Sequence, residues 1–186
     1  VTCVAGNVPL DLTSVNALKI CELSGFFSVP VFRGSPAPLK RKLITAEHVH
    51  GKTGLDGTDL LVKKKELEPT DAVDFIIECT EKYRDEKITI CALGPLTNVA
   101  KVLKKDSVSI ESIEEIVLMG GGFFEGGNIT PAAEFNIYVD PEAAKIVLES
   151  GLKITMLPLD VTHKTLVQRN FLEKLRKSGK NSAIQA

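Results

Sequence analysis

Residues Met119–Asn136, MGGGFFEGGNITPAAEFN, constrain the fold more than any other stretch. Ile116, Val117 and Leu118 run into it as a short apolar strand. Gly120, Gly121, Gly122, Gly126 and Gly127 then supply backbone freedom that no packed helix tolerates. Asn128, Glu134 and Asn136 follow on the polar side. Pro141 opens an amphipathic helix with Ala143, Ala144, Val147 and Leu148 on its apolar face. This is a strand, a long loop carrying amides and a carboxylate, then a helix. In an open α/β sheet such loops leave the carboxyl ends of strands, where ligands bind. The bland alternative is a solvated glycine loop; clustered amides beside an acid favour a binding loop.

The same alternation recurs along the chain. TCVA at Thr2–Ala5 reads as a strand, then a helix from Asp11 to Leu23 with Val15, Leu18 and either Ile20 or Cys21 inward. Asp11 is the expected N-cap and Gly25 the stop. Val29–Phe32 reads as a second strand, and 33–57 as irregular. A helix is expected from Thr70 and Asp71 to Tyr83, then a buried strand over Lys87–Leu93. A helix starts near Leu96, a strand covers Ile113–Met119, and a helix runs Pro141–Glu149. Lys153–Leu157 is a strand, Asp160–Thr162 a turn, and Leu166–Lys177 a helix stopped by Gly179. The fold class is therefore α/β: an open, mostly parallel, doubly wound sheet with helices on both faces. The first residue is Val and enters a strand-like run, and the polar tail ends without a strand. Residues 1–186 are accordingly expected to be the central part of a single domain, incomplete at both ends.

Composition narrows the function classes. With 23 basic against 24 acidic residues the net charge is −1, so nothing draws the chain generally to nucleic acid or to a membrane surface. KRK at 40–42 and KKK at 63–65 read as solvated surface. No apolar run reaches spanning length. Cys3, Cys21, Cys79 and Cys91 lack CxxC spacing and are expected as reduced core cysteines of a cytoplasmic protein.

Four polar strand tips are expected to meet at one edge: Gly6-Asn7, Gly94 to Asn98, the glycine loop, and Asp160 to Thr162. Asn7, Asn128, Glu134 and Asn136 then face one crevice. Such a set suits a polyhydroxylated ligand, because an amide both donates and accepts and a carboxylate accepts strongly. Asn98 is expected instead to bond local backbone. No phosphate-binding glycine motif and no nucleophile elbow appears. His48 and His50, on one face if the segment is a strand, lack a third metal ligand nearby. His163 is expected to cap a helix.

The motifs now in hand resemble those of the inosine-uridine nucleoside hydrolase family over nearly the whole chain. They are VAGN at 4–7, HVHGKTGLDG at 48–57, ALGPLTNVA at 92–100, VLMGGG at 117–122, NITPAAEFNIYVDPEAA at 128–144 and PLDVTH at 158–163. The resemblance implies a calcium-dependent enzyme that hydrolyses ribonucleosides to ribose and free base, as a cytoplasmic homo-oligomer, dimer or tetramer. It implies that Asn7, Asn128, Glu134 and Asn136 bind ribose, that Met119 lines the sugar pocket, that His50 lies near the base, and that Phe135 sits in the same ligand-contacting motif. It also implies that the Leu93 carbonyl binds Ca2+, a role open to any side chain. The family's aspartate cluster DxDxxxDD, which supplies most calcium ligands and the general base, precedes VAGN and is not in these residues. Nor is the later His-Asp pair that supplies the proton donor. The catalytic base and acid are therefore expected outside this chain, and residues 1–186 alone are expected to be inactive and, with a sheet edge exposed beside Thr2–Ala5, prone to aggregate. The alternative is a non-catalytic ribose- or nucleoside-binding remnant. Glu134 and Asn136, two apart on a segment expected to be extended, should point to the same side with Phe135 away. Replacing either is expected to leave the fold intact.

Overall fold

The structure, a computed structural model, describes residues 1–57, 60–62, 64–105 and 108–178. Its sheet has three strands, β1 (Ile88–Ala92), β2 (Ile113–Met119) and β3 (Ile154–Leu157), in the order β1-β2-β3. Both pairings are parallel, and Ile90, Ile116 and Ile154 form one row across the sheet. Helix α4 (Thr97–Lys105) returns from β1 towards β2, and α6 (Pro141–Leu148) lies between β2 and β3. Leu96, Val99 and Ala100 pack with Ala143, Ala144 and Val147 over Ile113, Ile116 and Leu118 as the main core. Helix α3 (Ala72–Lys82) adds Val73 and Ile76 against Val102, with Ile90 beside them. β1 and β3 alternate half-buried and exposed residues, because successive side chains point to opposite faces, and the central β2 buries Ile113, Ile116 and Leu118.

That alternation corrects two expectations. Lys87–Leu93 is not buried throughout: in β1, Thr89 and Cys91 are exposed while Ile88 and Ile90 pack against the core. Cys91 therefore is no core cysteine, and Cys79 is only half-buried; Cys3 and Cys21 are buried as expected.

The amino-terminal region is held differently. Thr2 bridges Phe32 and Phe32 bridges Glu68, both in parallel, but no continuous strand forms at Thr2–Ala5 or Val29–Phe32. Each segment is short, and Pro30 has no N–H to donate to a ladder. Helix α1 (Leu10–Leu23) covers these segments with Leu10, Leu18 and Cys21, which pack on Cys3, Ala5 and Val31. The stripe is Leu10, Ser14, Leu18 and Cys21. Val15 and Ile20 fall off that helical stripe and are exposed, which settles the choice for Cys21. Pro9, not Asp11, occupies the N-cap; Asp11 lies in the first turn and pairs with Arg33. Gly25 ends the helix at φ +75°. Helix α3 starts where expected, and the Asp71 carboxylate caps it by accepting from Val73 N–H at 2.8 Å.

Two buried side chains fasten these parts together. The Asn98 amide donates to the Cys3 carbonyl at 2.9 Å and its oxygen accepts from Ser35 N–H at 2.9 Å. Asn98 thus ties distant segments to α4 rather than bonding local backbone. Asp140, fully buried, caps α6 through Ala143 N–H at 3.0 Å and also accepts from Thr97 Oγ1 at 2.7 Å and Leu39 N–H at 2.9 Å.

Three further short elements bear on the site. Glu47–His50 forms one helical turn, α2, so His48 and His50 do not lie on a strand; Ala46 N–H ahead of it donates to the Asn7 carbonyl at 2.8 Å. Phe135–Val139 is a helix, α5, not an extended segment. Leu159–Thr162 is a helical turn, α7, with His163 as its C-cap, and the last helix, α8, runs Arg169–Ser178. The expected stop at Gly179 lies outside the described residues.

Candidate functional site

The glycine loop leaves β2 and returns to α5, and two side chains hold it there. Glu134 is the N-cap of α5; its Oε2 accepts from Ile137 N–H at 3.2 Å and from Gly121 N–H at 3.1 Å. Gly121 takes φ +76°, the left-handed region that glycine tolerates. Asn128 Oδ1 accepts from Phe135 N–H at 2.8 Å, at the start of α5. Capping by these two side chains starts α5 at Phe135, within AEFN and with Glu134 still extended as the N-cap, which explains the departure from the extended expectation. Gly127 is packed so closely that a Cβ there would stand 2.2 Å from the Thr130 carbonyl oxygen.

On the far side, Asp160 anchors the loop tip. Its carboxylate accepts from Phe123 N–H at 2.8 Å, Phe124 N–H at 2.8 Å and Glu125 N–H at 3.3 Å. These backbone bonds, that from Phe123 foremost, hold its pKa below the ordinary aspartate value. His163 Nδ1 lies 3.4 Å from Glu125 Oε2. The sequence signal for this anchor was the acid at the tip of β3; its partner loop was not visible from sequence.

The elements enclose a cleft of about 350 Å³ at the carboxyl ends of β1 and β2. Asn7, His50, Leu93, Met119, Asn128, Glu134, Phe135 and Asn136 all line it. So does His48, which sequence reasoning set aside and which α2 presents beside His50. Asn98 and Asp160 do not line it; each bonds backbone instead. Glu134, Phe135 and Asn136 form a buried floor, while Asn7, Asn128, His48 and His50 stand exposed around it. Phe135 does not point away from the cleft: it contributes to the lining and also packs with Ala46 and Val139.

Asn136 is held by the strand tips. Its Nδ2 donates to the Met119 carbonyl at 3.1 Å and to the Leu93 carbonyl at 3.4 Å. Glu134 and Asn136 therefore have structural duties, contrary to the expectation that the fold is indifferent to them. Leu93 offers one carbonyl oxygen, already in contact with Asn136, whereas calcium takes about six to eight oxygens. Among the described residues no group of three or more His, Cys, Asp or Glu could hold a metal ion. The donors on these described residues do not by themselves amount to a calcium site.

Fold and cleft together define an open parallel α/β protein with a cleft lined by amides, a carboxylate and two histidines at the carboxyl edge of its sheet. The family model described as inosine-uridine preferring nucleoside hydrolase matches residues 1–186, and the chain belongs to that family. It is 51% identical over 164 residues to an uncharacterized protein of Schizosaccharomyces pombe, covering 88% of this chain and 53% of that one. It is 41% identical over 179 residues to the pyrimidine-specific ribonucleoside hydrolase RihB of Escherichia coli, covering 96% of this chain and 56% of that protein. The solved purine-preferring ribonucleoside hydrolase from Gardnerella vaginalis matches with TM-score 0.90 and 34% identity, over 98% of this chain and 60% of that chain. The chain spans about half the length of the curated relatives it matches.

Proposed function

We propose that the protein containing these residues hydrolyses the N-glycosidic bond of ribonucleosides, and that residues 1–186 are the central, sugar-binding part of one domain. The observation that carries this reading is the convergence of Asn7, Asn128, Glu134 and Asn136 on one cleft. The relatives support it. One is named for pyrimidine and one for purine nucleosides, and the ribosyl group is what those substrates share. Ribose hydroxyls sit against the amides and Glu134, Met119 and Phe135 supply apolar surface, and His48 and His50 stand where a base would leave. Cleavage of a glycosidic bond develops positive charge on the sugar. Fixed acceptor oxygens of Glu134 and Asn136 stabilise that charge without reorganising. The general base and the proton donor lie outside these residues, and so do most ligands of the Ca2+ to which the Leu93 carbonyl contributes. The reading extends to a cytoplasmic homo-oligomer that binds neither nucleic acid nor membrane. The four free cysteines suit a reducing compartment, and no described helix is long and apolar enough to cross a membrane.

The test is release of free ribose from inosine and from uridine by the whole protein with calcium present. Turnover of either is expected, with none by residues 1–186 alone. Nucleoside binding without turnover by the whole protein would instead identify a binding remnant.

A further inference from the structure

We infer that Asp160, which lies outside the cleft, is a positioning residue for it: by fastening the glycine loop to α7 it fixes where the Glu134 carboxylate stands. The inference rests on the nucleoside reading for the reaction, but not for the coupling. Gly121 is the link. Its carbonyl accepts from Leu159 N–H at 2.9 Å, and its own N–H donates to Glu134 Oε2 at 3.1 Å. One residue is thus held by α7 on one side and holds the cleft floor on the other. Beyond it the loop tip gains little from packing, since Phe123 is 70% and Phe124 97% exposed and apolar stabilisation follows the area removed from water. Polar contacts to α7 hold the tip instead. The Asp160 carboxylate accepts from Phe123 N–H at 2.8 Å, Phe124 N–H at 2.8 Å and Glu125 N–H at 3.3 Å. His163 Nδ1 stands 3.4 Å from Glu125 Oε2, but both side chains are exposed and such a pair contributes little. Three charge-assisted bonds to one carboxylate outweigh it, so Asp160 carries the fastening.

The loop needs that fastening. Gly120, Gly121 and Gly122 are consecutive and have wide backbone freedom, so motion released at Phe123 reaches Gly121 within two residues. The last torsion of a glutamate is broad, and Ile137 N–H alone leaves the Glu134 carboxylate able to turn. Gly121 N–H is the second point that fixes it. A fixed negative charge stabilises a developing cation without reorganising, and a small displacement costs rate rather than ground-state binding.

Asp160→Ala, Glu134→Gln and the double variant of the whole protein decide it, with turnover measured on inosine and uridine. Asp160→Ala should lower kcat about tenfold and change KM less than about twofold. In the Glu134→Gln background the same replacement should change kcat less than about twofold, because the charge that Asp160 positions is already gone. Asp160→Asn keeps one acceptor oxygen at the tip; it should recover part of the loss, and it carries the same comparison should Asp160→Ala not fold. Hydrogen exchange supplies an arm that needs no turnover. In Asp160→Ala, Gly121 and Ile137 N–H should exchange faster along with Phe123, Phe124 and Glu125, while α4 and α6 keep the parent rates. Equal kcat losses in both backgrounds, a change in KM with kcat unaltered, or exchange that quickens at the tip alone would overturn the positioning role. If the exchange pattern appears but the parent releases no ribose from either nucleoside, the coupling stands and the nucleoside reading falls.

Discussion

The floor and the rim of the cleft are built on different terms. Glu134 and Asn136 on the floor are 3% and 8% exposed, and each bonds backbone groups from separate parts of the chain. Asn7, His48 and His50 at the rim are exposed, and no side-chain bond of theirs bears on the floor. A floor residue therefore serves the fold and the ligand together, and its replacement mixes two losses. Asn7, His48 and His50 carry no such duty, whereas Asn128, also at the rim, holds the start of α5 through Phe135 N–H. The difference teaches which variants report chemistry cleanly.

Four outcomes would break or sharpen that contrast. The largest effect is expected at Gly127, where an added Cβ meets backbone atoms 2.2 Å and 2.3 Å away. Gly127→Ala should cost about 3 kcal/mol in denaturant unfolding, because backbone rather than a flexible side chain must move. A neutral result would mean the loop does not support the floor.

Next comes Glu134. Its replacement by Ala strips the cap of α5 and leaves Gly121 N–H without an acceptor, which should destabilise by about 2 kcal/mol. Replacement by Gln keeps an oxygen for both N–H groups, so stability should change by less than about 1 kcal/mol while kcat of the whole enzyme falls about 100-fold. If the Gln and Ala variants were equally unstable, the cap would depend on the charge and the floor could not be dissected this way.

The Asp160 anchor titrates. Its folded pKa is lowered by the backbone bonds, so its contribution is present above the unfolded aspartate value and disappears as pH falls through the folded one. Amide exchange at Phe123, Phe124 and Glu125 should accelerate below the ordinary aspartate range, and Asp160→Ala should be fast at every pH. Exchange that ignores both acid and the substitution would show that another contact holds the loop tip.

The smallest effect on stability belongs to the rim. His50→Ala should shift unfolding by less than about 0.5 kcal/mol, as expected for an exposed side chain. Its effect should appear in KM for nucleosides, with little change for ribose alone. A large loss of stability would erase the distinction between rim and floor.

The sequence by itself determined the order of strands and helices, because apolar alternation and periodicity of Ile88–Ala92, Ile113–Met119 and Pro141–Leu148 are local signals. It also brought Asn7, Asn128, Glu134 and Asn136 to one edge, since parallel strands place their carboxyl tips together. Only the tertiary structure decided that a helix starts at Phe135 inside AEFN, because Asn128 bonds Phe135 N–H and the capping Glu134 is held by Gly121 N–H, both from the glycine loop. Only it showed Asn98 bonding Cys3 and Ser35, or Asp160 holding Phe123 and Phe124, since those partners lie far away in sequence. It alone divided the cleft into floor and rim. An asparagine's type fixes that it can donate and accept, but which end is left for a ligand depends on the backbone that packing brings against it.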